Sequence, residues 1–283
     1  MSNKSEKVID VVFRVRRYDP GKDNEPYYDD FKVPVPPGMV VLDGLWYIKW
    51  NLDSSLAWRS SCRMGVCGSC GMLINGRAML ACNTQVRDVT TDVLVVAPLP
   101  NFDIIRDLVP DLTPMFDRHR ELKPYIQRAD VQATDTAADQ YWQSPEDLER
   151  YLQFSYCIKC GACMAACPIV ATDTEYSGPQ PLAQAYRYMV DTRNGDFSER
   201  KALYATGVGP WRCHYAGECS AVCPKGVDPA RAIQLMKREL VLDYLRLGKL
   251  RKREPCGILP TEKRSGRREG IPDPPPFTVE GAE

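Results

Sequence analysis

Residues 61–82 read SCRMGVCGSCGMLINGRAMLAC. Three cysteines in this stretch, Cys62, Cys67 and Cys70, follow C-x4-C-x2-C, and Cys82 comes after a gap. That is the spacing of a plant-type 2Fe-2S site, in which a loop wraps one face of the cluster and a distant thiolate closes it. Gly65, Gly68 and Gly71 interleave with the thiols, where the absence of a Cβ lets backbone N–H groups approach sulfide. Asn75-Gly76 between MLI and RAML is a hairpin turn signal, so Cys82 should return on a strand.

Working outward, VLDGLWYIKWNL (41–52) places Leu42, Leu45, Trp46 and Ile48 at helical spacing. Upstream, Val8–Tyr18 and Tyr27–Val35 alternate as strands around the turn formers Asp19, Pro20 and Gly21. Downstream, Asp92–Pro98 reads as a buried strand. These elements predict a mixed sheet that carries the cysteine loop. Between 101 and 140 the periodicity weakens and Pro100, Pro110, Pro114 and Pro124 recur, which predicts a connection between domains. From Ser144 the chain reads as helical, with Ser144-Pro145-Glu146-Asp147 as a start signal. Helices are expected over 147–156, 181–189, 199–204 and 228–248, the last with a stripe of Ile233, Met236, Leu240 and Tyr244.

Two further cysteine runs lie in this second half. CIKCGACMAACP (157–168) is the bacterial ferredoxin pattern C-x2-C-x2-C-x3-C-P, and CHYAGECSAVCP (213–224) resembles it with one position altered. In such pairs the fourth cysteine of a run serves the other cluster. The expected sets are therefore Cys157, Cys160, Cys163 and Cys223 for a 4Fe-4S cluster, and Cys167, Cys213 and Cys219 for the other. Where a cysteine would complete the third run stands Ala216. Three thiolates and a vacant corner predict 3Fe-4S, the competing possibility being 4Fe-4S with water or hydroxide as fourth ligand. Of the 12 cysteines only Cys256 stands outside these runs, and it reads as a free thiol in the tail. Disulfides give no reason for the Cys-Pro endings, and structural zinc fits C-x4-C-x2-C poorly because zinc ribbons favour paired CxxC knuckles.

The 283 residues suffice for two domains. Lys plus Arg and Asp plus Glu both number 37, leaving no net charge, which argues against a nucleic-acid partner. No run approaches the roughly 18 apolar residues of a membrane span. The N-terminal apolar run is broken by charges, unlike a secretory signal, so a cytoplasmic or matrix-like compartment is expected. Beyond Gly248, Lys, Arg, Pro and Gly dominate without a core pattern, predicting an extended tail.

The three runs, in this order and with the gap at Ala216, resemble the iron-sulfur subunit of succinate dehydrogenase and fumarate reductase over about residues 7–250. The YSGPQPLAQAYRY stretch (176–188) belongs to the same resemblance. It implies an α+β chain: an N-terminal β-grasp plant-type ferredoxin domain (1–115), a linker (116–143), an all-α bacterial-ferredoxin-like helical domain (144–250) and the tail (251–283). It further implies a membrane-bound succinate:quinone oxidoreductase. Electrons would pass from FAD in a flavoprotein subunit through the 2Fe-2S, 4Fe-4S and 3Fe-4S clusters to quinone at a membrane anchor, with FAD and haem confined to partner subunits. The expected location is peripheral, on the cytoplasmic face of the cell membrane or the matrix face of a mitochondrial inner membrane. Arg63 matches a position facing the flavoprotein, and His214 with Pro168 matches the quinone-proximal wall. Family members using ubiquinone often carry tryptophans soon after the second run, whereas here Ala171 and Thr172 stand there. That departure points to menaquinone or to a fumarate-reductase-like member. The same relay run backwards is fumarate reduction, and a free-standing multi-cluster ferredoxin is the alternative from another class.

Overall fold

Alternation shapes the first strand. In β1 (Ile9–Arg17) Val11, Phe13 and Val15 turn inward while Asp10 and Arg14 face solvent. β2 (Tyr27–Val35) pairs with it antiparallel, with Phe13 opposite Phe31, and buries Val33 and Val35. The computed structural model describes residues 7–127, 140–141, 143–195, 198–247 and 258–259. Across the sheet lies α1 (Val41–Asn51), started by the Asp43 carboxylate accepting from the Val40 N–H (3.3 Å). Its Val41, Leu42, Leu45 and Ile48 are buried, and a methyl group on Gly44 would run into the Phe13 ring.

β3 (Gly71–Ile74) and β4 (Arg77–Leu80) form the expected hairpin, with Asn75 and Gly76 both at positive φ as a type I′ turn requires. A short 3-10 turn at Ala81–Asn83 places Cys82, and then α2 (Val86–Val89) leads to β5 (Val93–Ala97). Cys82 therefore sits just past the returning strand rather than on it. The sheet runs β2-β1-β5-β3-β4, with β1 and β5 parallel and the other pairs antiparallel.

A small hairpin follows, β6 (Ile104–Arg106) with β7 (Val109–Pro110). Asp107 at its turn is buried and accepts from Arg17 Nε (3.1 Å), the Tyr18 N–H (3.1 Å) and the Ala57 N–H (2.9 Å). Arg17 also pairs with Asp53 and Asp29, so one buried guanidinium ties β1 to β2 and to the two loops that carry Asp53 and Asp107. Next comes α3 (Thr113–Glu121), whose Met115, with Leu112 and Leu122 at its ends, joins the helical core. The stretch expected as a linker from 116 thus begins inside a packed helix. Pro114 sits in that helix's first turn, where its missing N–H costs nothing.

After β8 (Gln140–Tyr141) the second half is helical: α4 (Pro145–Ser155), α5 (Ala162–Ala165), α6 (Pro168–Thr172), α7 (Pro179–Met189), α8 (Ser198–Tyr204), α9 (Glu218–Ala221) and α10 (Pro229–Tyr244). Ser144 caps α4 by accepting from the Asp147 N–H (3.2 Å), as its start signal predicts. α7 is the axis of this half: nine of its residues are buried and it packs on α3, α4 and α10. In α10 the stripe Ile233, Met236 and Leu240 is buried, but Tyr244 is 80% exposed because the helix outruns the core. From the expected tail, β9 (Ile258–Leu259) pairs with β8; Cys256 and the remaining tail lie outside the described residues. No described helix is long and apolar enough to cross a membrane. The chain is thus mixed, with a sheet first and helices after.

Candidate metal centres

The first thiol group surrounds the loop that leaves α1 and enters β3. The Met64, Val66 and Cys67 N–H groups donate to Cys62 Sγ at 3.4, 3.3 and 3.3 Å, and Gly65 N–H donates to Cys82 Sγ at 3.2 Å. These donors pull the Cys62 thiol down to about 6. Burial instead pushes Cys70 up to about 12. Of the interleaved glycines, Gly65 serves the thiols as expected. Gly68 and Gly71 have a second use: a Cβ on Gly68 would lie 2.8 Å from the Ile158 carbonyl oxygen, and one on Gly71 would lie 2.9 Å from that of Cys160. The first cysteine loop is therefore pressed directly onto the second.

In the helical half the thiols regroup across their runs. Cys157, Cys160, Cys163 and Cys223 line one crevice together with Gln180. Cys167, Cys213 and Cys219 line another, with Ala216, Pro168 and His214 at its wall. Crossing follows from local structure. Gly161 and Gly217, both left-handed, start the short helices α5 and α9, which turn Cys163 and Cys219 inward. Each short helix ends just before the last cysteine of its run, Cys167 or Cys223, which then belongs to the neighbouring crevice. Burial raises Cys157, Cys167 and, most of all, Cys163, and lifts Cys160 and Cys219 to about 11. Left alone, these buried sulfurs keep their protons. A group bringing several positive charges inverts that preference and holds them as thiolates.

The donor set fits iron-sulfur clusters. All eleven clustered cysteines are free thiols. Among the described residues no three His, Cys, Asp or Glu side chains converge as one metal ion requires. Thiolates round a single zinc each sit about 2.3 Å from it, whereas several irons spread theirs further apart. The three groups are also contiguous. The first touches the second at Gly68 and Gly71 against Ile158 and Cys160, and Cys163 of the second lies within electrostatic reach of Cys219 of the third.

Arg63 is exposed on the first loop, held at positive φ with its guanidinium 5.3 Å over the Trp46 ring. Pro168 and His214 are both exposed beside the third group. Sequence reading missed the polar side chains beside the thiols. Tyr176 is fully buried in the lining of the third crevice, its hydroxyl pushed well up by burial and by the Cys213, Cys167 and Cys219 sulfurs. Gln180 lines the second crevice beside Cys157, and Gln234 Nε2 donates to Cys213 Sγ at 3.8 Å. Tyr176 and Gln180 open the YSGPQP stretch, whose tyrosine and glutamine in an otherwise apolar, buried segment were the available signal.

Comparison with known proteins agrees with this layout. Residues 12–117 match the 2Fe-2S iron-sulfur cluster binding domain and residues 153–227 the 4Fe-4S dicluster domain. A fumarate reductase iron-sulfur subunit of Mycobacterium tuberculosis is 42% identical over 80% of this chain and 91% of its own. The mitochondrial succinate dehydrogenase [ubiquinone] iron-sulfur subunit of Candida glabrata is 36% identical, over 82% of this chain and 92% of its own. Among solved structures, a chain of the Mycobacterium smegmatis Sdh1 complex in the apo form superposes with a TM-score of 0.72 at 29% identity, covering 84% of this chain and 98% of that one. With such likeness running through both halves and all three cysteine runs, the chain belongs to the family of iron-sulfur subunits of succinate dehydrogenase and fumarate reductase, an oxidoreductase complex.

Proposed function

We propose that the chain is the electron relay of a membrane-bound succinate:quinone oxidoreductase, joined to a FAD-containing flavoprotein subunit at one end and to quinone-binding membrane anchor subunits at the other. The carrying observation is the contiguity of three thiol groups, first against second and second against third, which fits an electron wire. Cys62, Cys67, Cys70 and Cys82 would hold 2Fe-2S; Cys157, Cys160, Cys163 and Cys223 would hold 4Fe-4S; Cys167, Cys213 and Cys219 would hold 3Fe-4S. When bound, the clusters supply one-electron transfer in that order between flavin and quinone. In this reading the five-stranded sheet and α1 form a β-grasp ferredoxin domain, and the helices round α7 form a bacterial-ferredoxin-like one.

The protein's own residues set the ends of the wire. Arg63 stands on the first loop toward the flavoprotein. Pro168 and His214 stand outside the third group, where His214 would donate a hydrogen bond to quinone or pass it a proton. Ala171 and Thr172, exposed on α6, leave no tryptophan donor there, which favours menaquinone. Attachment would be peripheral, on the cytoplasmic face of the membrane or its matrix equivalent. A second reading, fumarate reduction, is supported by the relatives of that name at 42% identity or more.

Redox-titrated EPR on the isolated complex tests the proposal. It should reveal three clusters, one giving a 3Fe-4S signal when oxidised; a colourless, EPR-silent complex would refute it. The ranked potentials then decide between the two directions. Cys62→Ser should abolish quinone reduction by succinate, and wild-type turnover in that variant would overturn the order of the relay.

A further inference from the structure

Gln180 stands in the first turn of α7. Gly178 just before it, at φ +90°, lets that helix start hard against Met164 of α5, where a Cβ would collide with the thioether. The Gln180 side chain is 1% exposed and lines the second thiol crevice with Cys157, Cys160, Cys163 and Cys223. Apart from the thiols, it is the only uncharged polar side chain among the described residues of that lining. Its Nε2 also lies 3.3 Å from Nδ1 of His119, a buried imidazole brought by α3. Its Oε1 is out of contact with water and has no hydrogen-bond partner among the described residues.

An amide nitrogen carries two protons. One goes to His119, whose Nδ1 must then be the lone-pair nitrogen of the neutral ring, with the ring proton on Nε2. Burial, with Lys159 adding to it, keeps that ring neutral. The second amide proton is left for the crevice, where sulfur lone pairs are the available acceptors. Burial raises the Cys157 thiol, and the Lys159 N–H and the Gln180 side chain work against that rise, as donors do. The unmet oxygen shows what this orientation sacrifices. Turned over about its last bond, the amide would give Oε1 a partner in a protonated Nδ1, but it would also set an oxygen against sulfur lone pairs. Leaving a buried acceptor unmet costs stability, so the orientation found is favoured where the nitrogen meets a charged acceptor. A thiolate on a bound cluster is such an acceptor, and a neutral thiol is not.

We infer that Gln180 Nε2 donates to Cys157 Sγ when the second cluster is bound, and that His119 is a positioning residue that holds the amide in that orientation. The inference rests on the relay reading of Cys157, Cys160, Cys163 and Cys223, and it adds two side chains that tune the middle of the wire. Hydrogen bonds to the sulfurs raise a cluster's reduction potential, because they stabilise the added electron. A crevice this buried otherwise resists extra negative charge, and the amide offsets part of that resistance.

Redox-titrated EPR of the complex at one pH reads the effect directly. Gln180→Met keeps the length of the side chain and removes the donor. It should lower the ratio of reduced to oxidised 4Fe-4S at a fixed potential about tenfold, the scale of a hydrogen bond to a charged group and a fall of about 59 mV for one electron. The 2Fe-2S and 3Fe-4S midpoints should stay where they are. His119→Leu frees the amide to turn and should lower the same ratio about threefold, since it removes the support and not the donor. His119→Asn sets an amide oxygen where Nδ1 was and should restore the wild-type value. An unchanged 4Fe-4S midpoint in Gln180→Met, or an equal fall of all three midpoints, would overturn the inference. Should Gln180→Met fail to hold its clusters, equal midpoints in His119→Leu and His119→Asn would overturn it. Three clusters in the wild type without these shifts in the variants would leave the relay reading standing. Absence of a 4Fe-4S signal from the wild-type complex would sink both.

Discussion

Ala216 faces the third thiol crevice and is exposed there, at the position where the second run carries Cys160. The backbone round it already matches a ligand loop, because Gly217 starts α9 just as Gly161 starts α5. Ala216→Cys should therefore convert the site to 4Fe-4S: EPR of the oxidised complex should lose most of its 3Fe-4S signal, and the lowered potential should slow electron delivery to quinone. An unchanged 3Fe-4S signal would show that a thiol at position 216 does not recruit a fourth iron, and would overturn the vacant-corner reading. At this scale the thiols were legible because ligation imposes a spacing on the chain. Tyr176, Gln180 and Gln234 were not, since a side chain that reaches the thiols from elsewhere in the chain obeys no local spacing.

Among the elements, α3 was the least legible. Recurring prolines read as breaks, yet Pro114 opens the helix, and its inward face is short: Met115 and His119, flanked by Leu112 and Leu122. By contrast β1 and α1 stood out because their inward residues recur at a strand or helix period, and β2 because Val33 and Val35 continue that alternation beside β1. Sheet order was beyond local pattern, because the parallel pairing of β1 with β5 joins segments far apart in sequence. His119 is the test of how α3 docks. It is buried against α7, where Gln180 Nε2 lies 3.3 Å from its Nδ1, and burial, with Lys159 adding to it, pulls its pKa down to about 4. The folded protein thus keeps His119 neutral while the unfolded chain takes its proton near pH 6.5. Stability from this group is full above that value and falls as the pH is lowered toward 4. Between pH 7 and 5 the loss should be roughly 2 kcal/mol. Denaturant melts should show that slope in the wild type and lose most of it in His119→Gln.

For the molecule as a whole, the decisive contact is backbone on backbone. Gly68, at φ +75°, presents a bare Cα to the Ile158 carbonyl and to Cys160, and Leu99 with Ala78 of the sheet half packs on Ala162 and Ala165 beside it. A methyl group on Gly68 has no flexible neighbour to displace. Gly68→Ala should therefore destabilise by about 2–4 kcal/mol and weaken the magnetic coupling between the two nearest clusters. Gly76→Ala is its control, also at positive φ but with nothing within 4 Å of the added carbon; it should cost only about 1–2 kcal/mol and leave the coupling intact. Equal losses in the two variants would show that the left-handed backbone, and not the contact between halves, sets the cost.

The crossed grouping of thiols also orders events in time. A ribosome has released every thiol of the first group once Cys82 emerges, so that group is ready while the rest of the chain is still being made. The second and third groups begin at Cys157 and Cys167 but stay open until Cys219 and Cys223, near neighbours in sequence, have left the ribosome. The two therefore become loadable almost together. A nascent chain stalled just before Cys219 would carry three thiols of one group and two of the other, exposed to oxidation and to stray metals until the last two cysteines emerge.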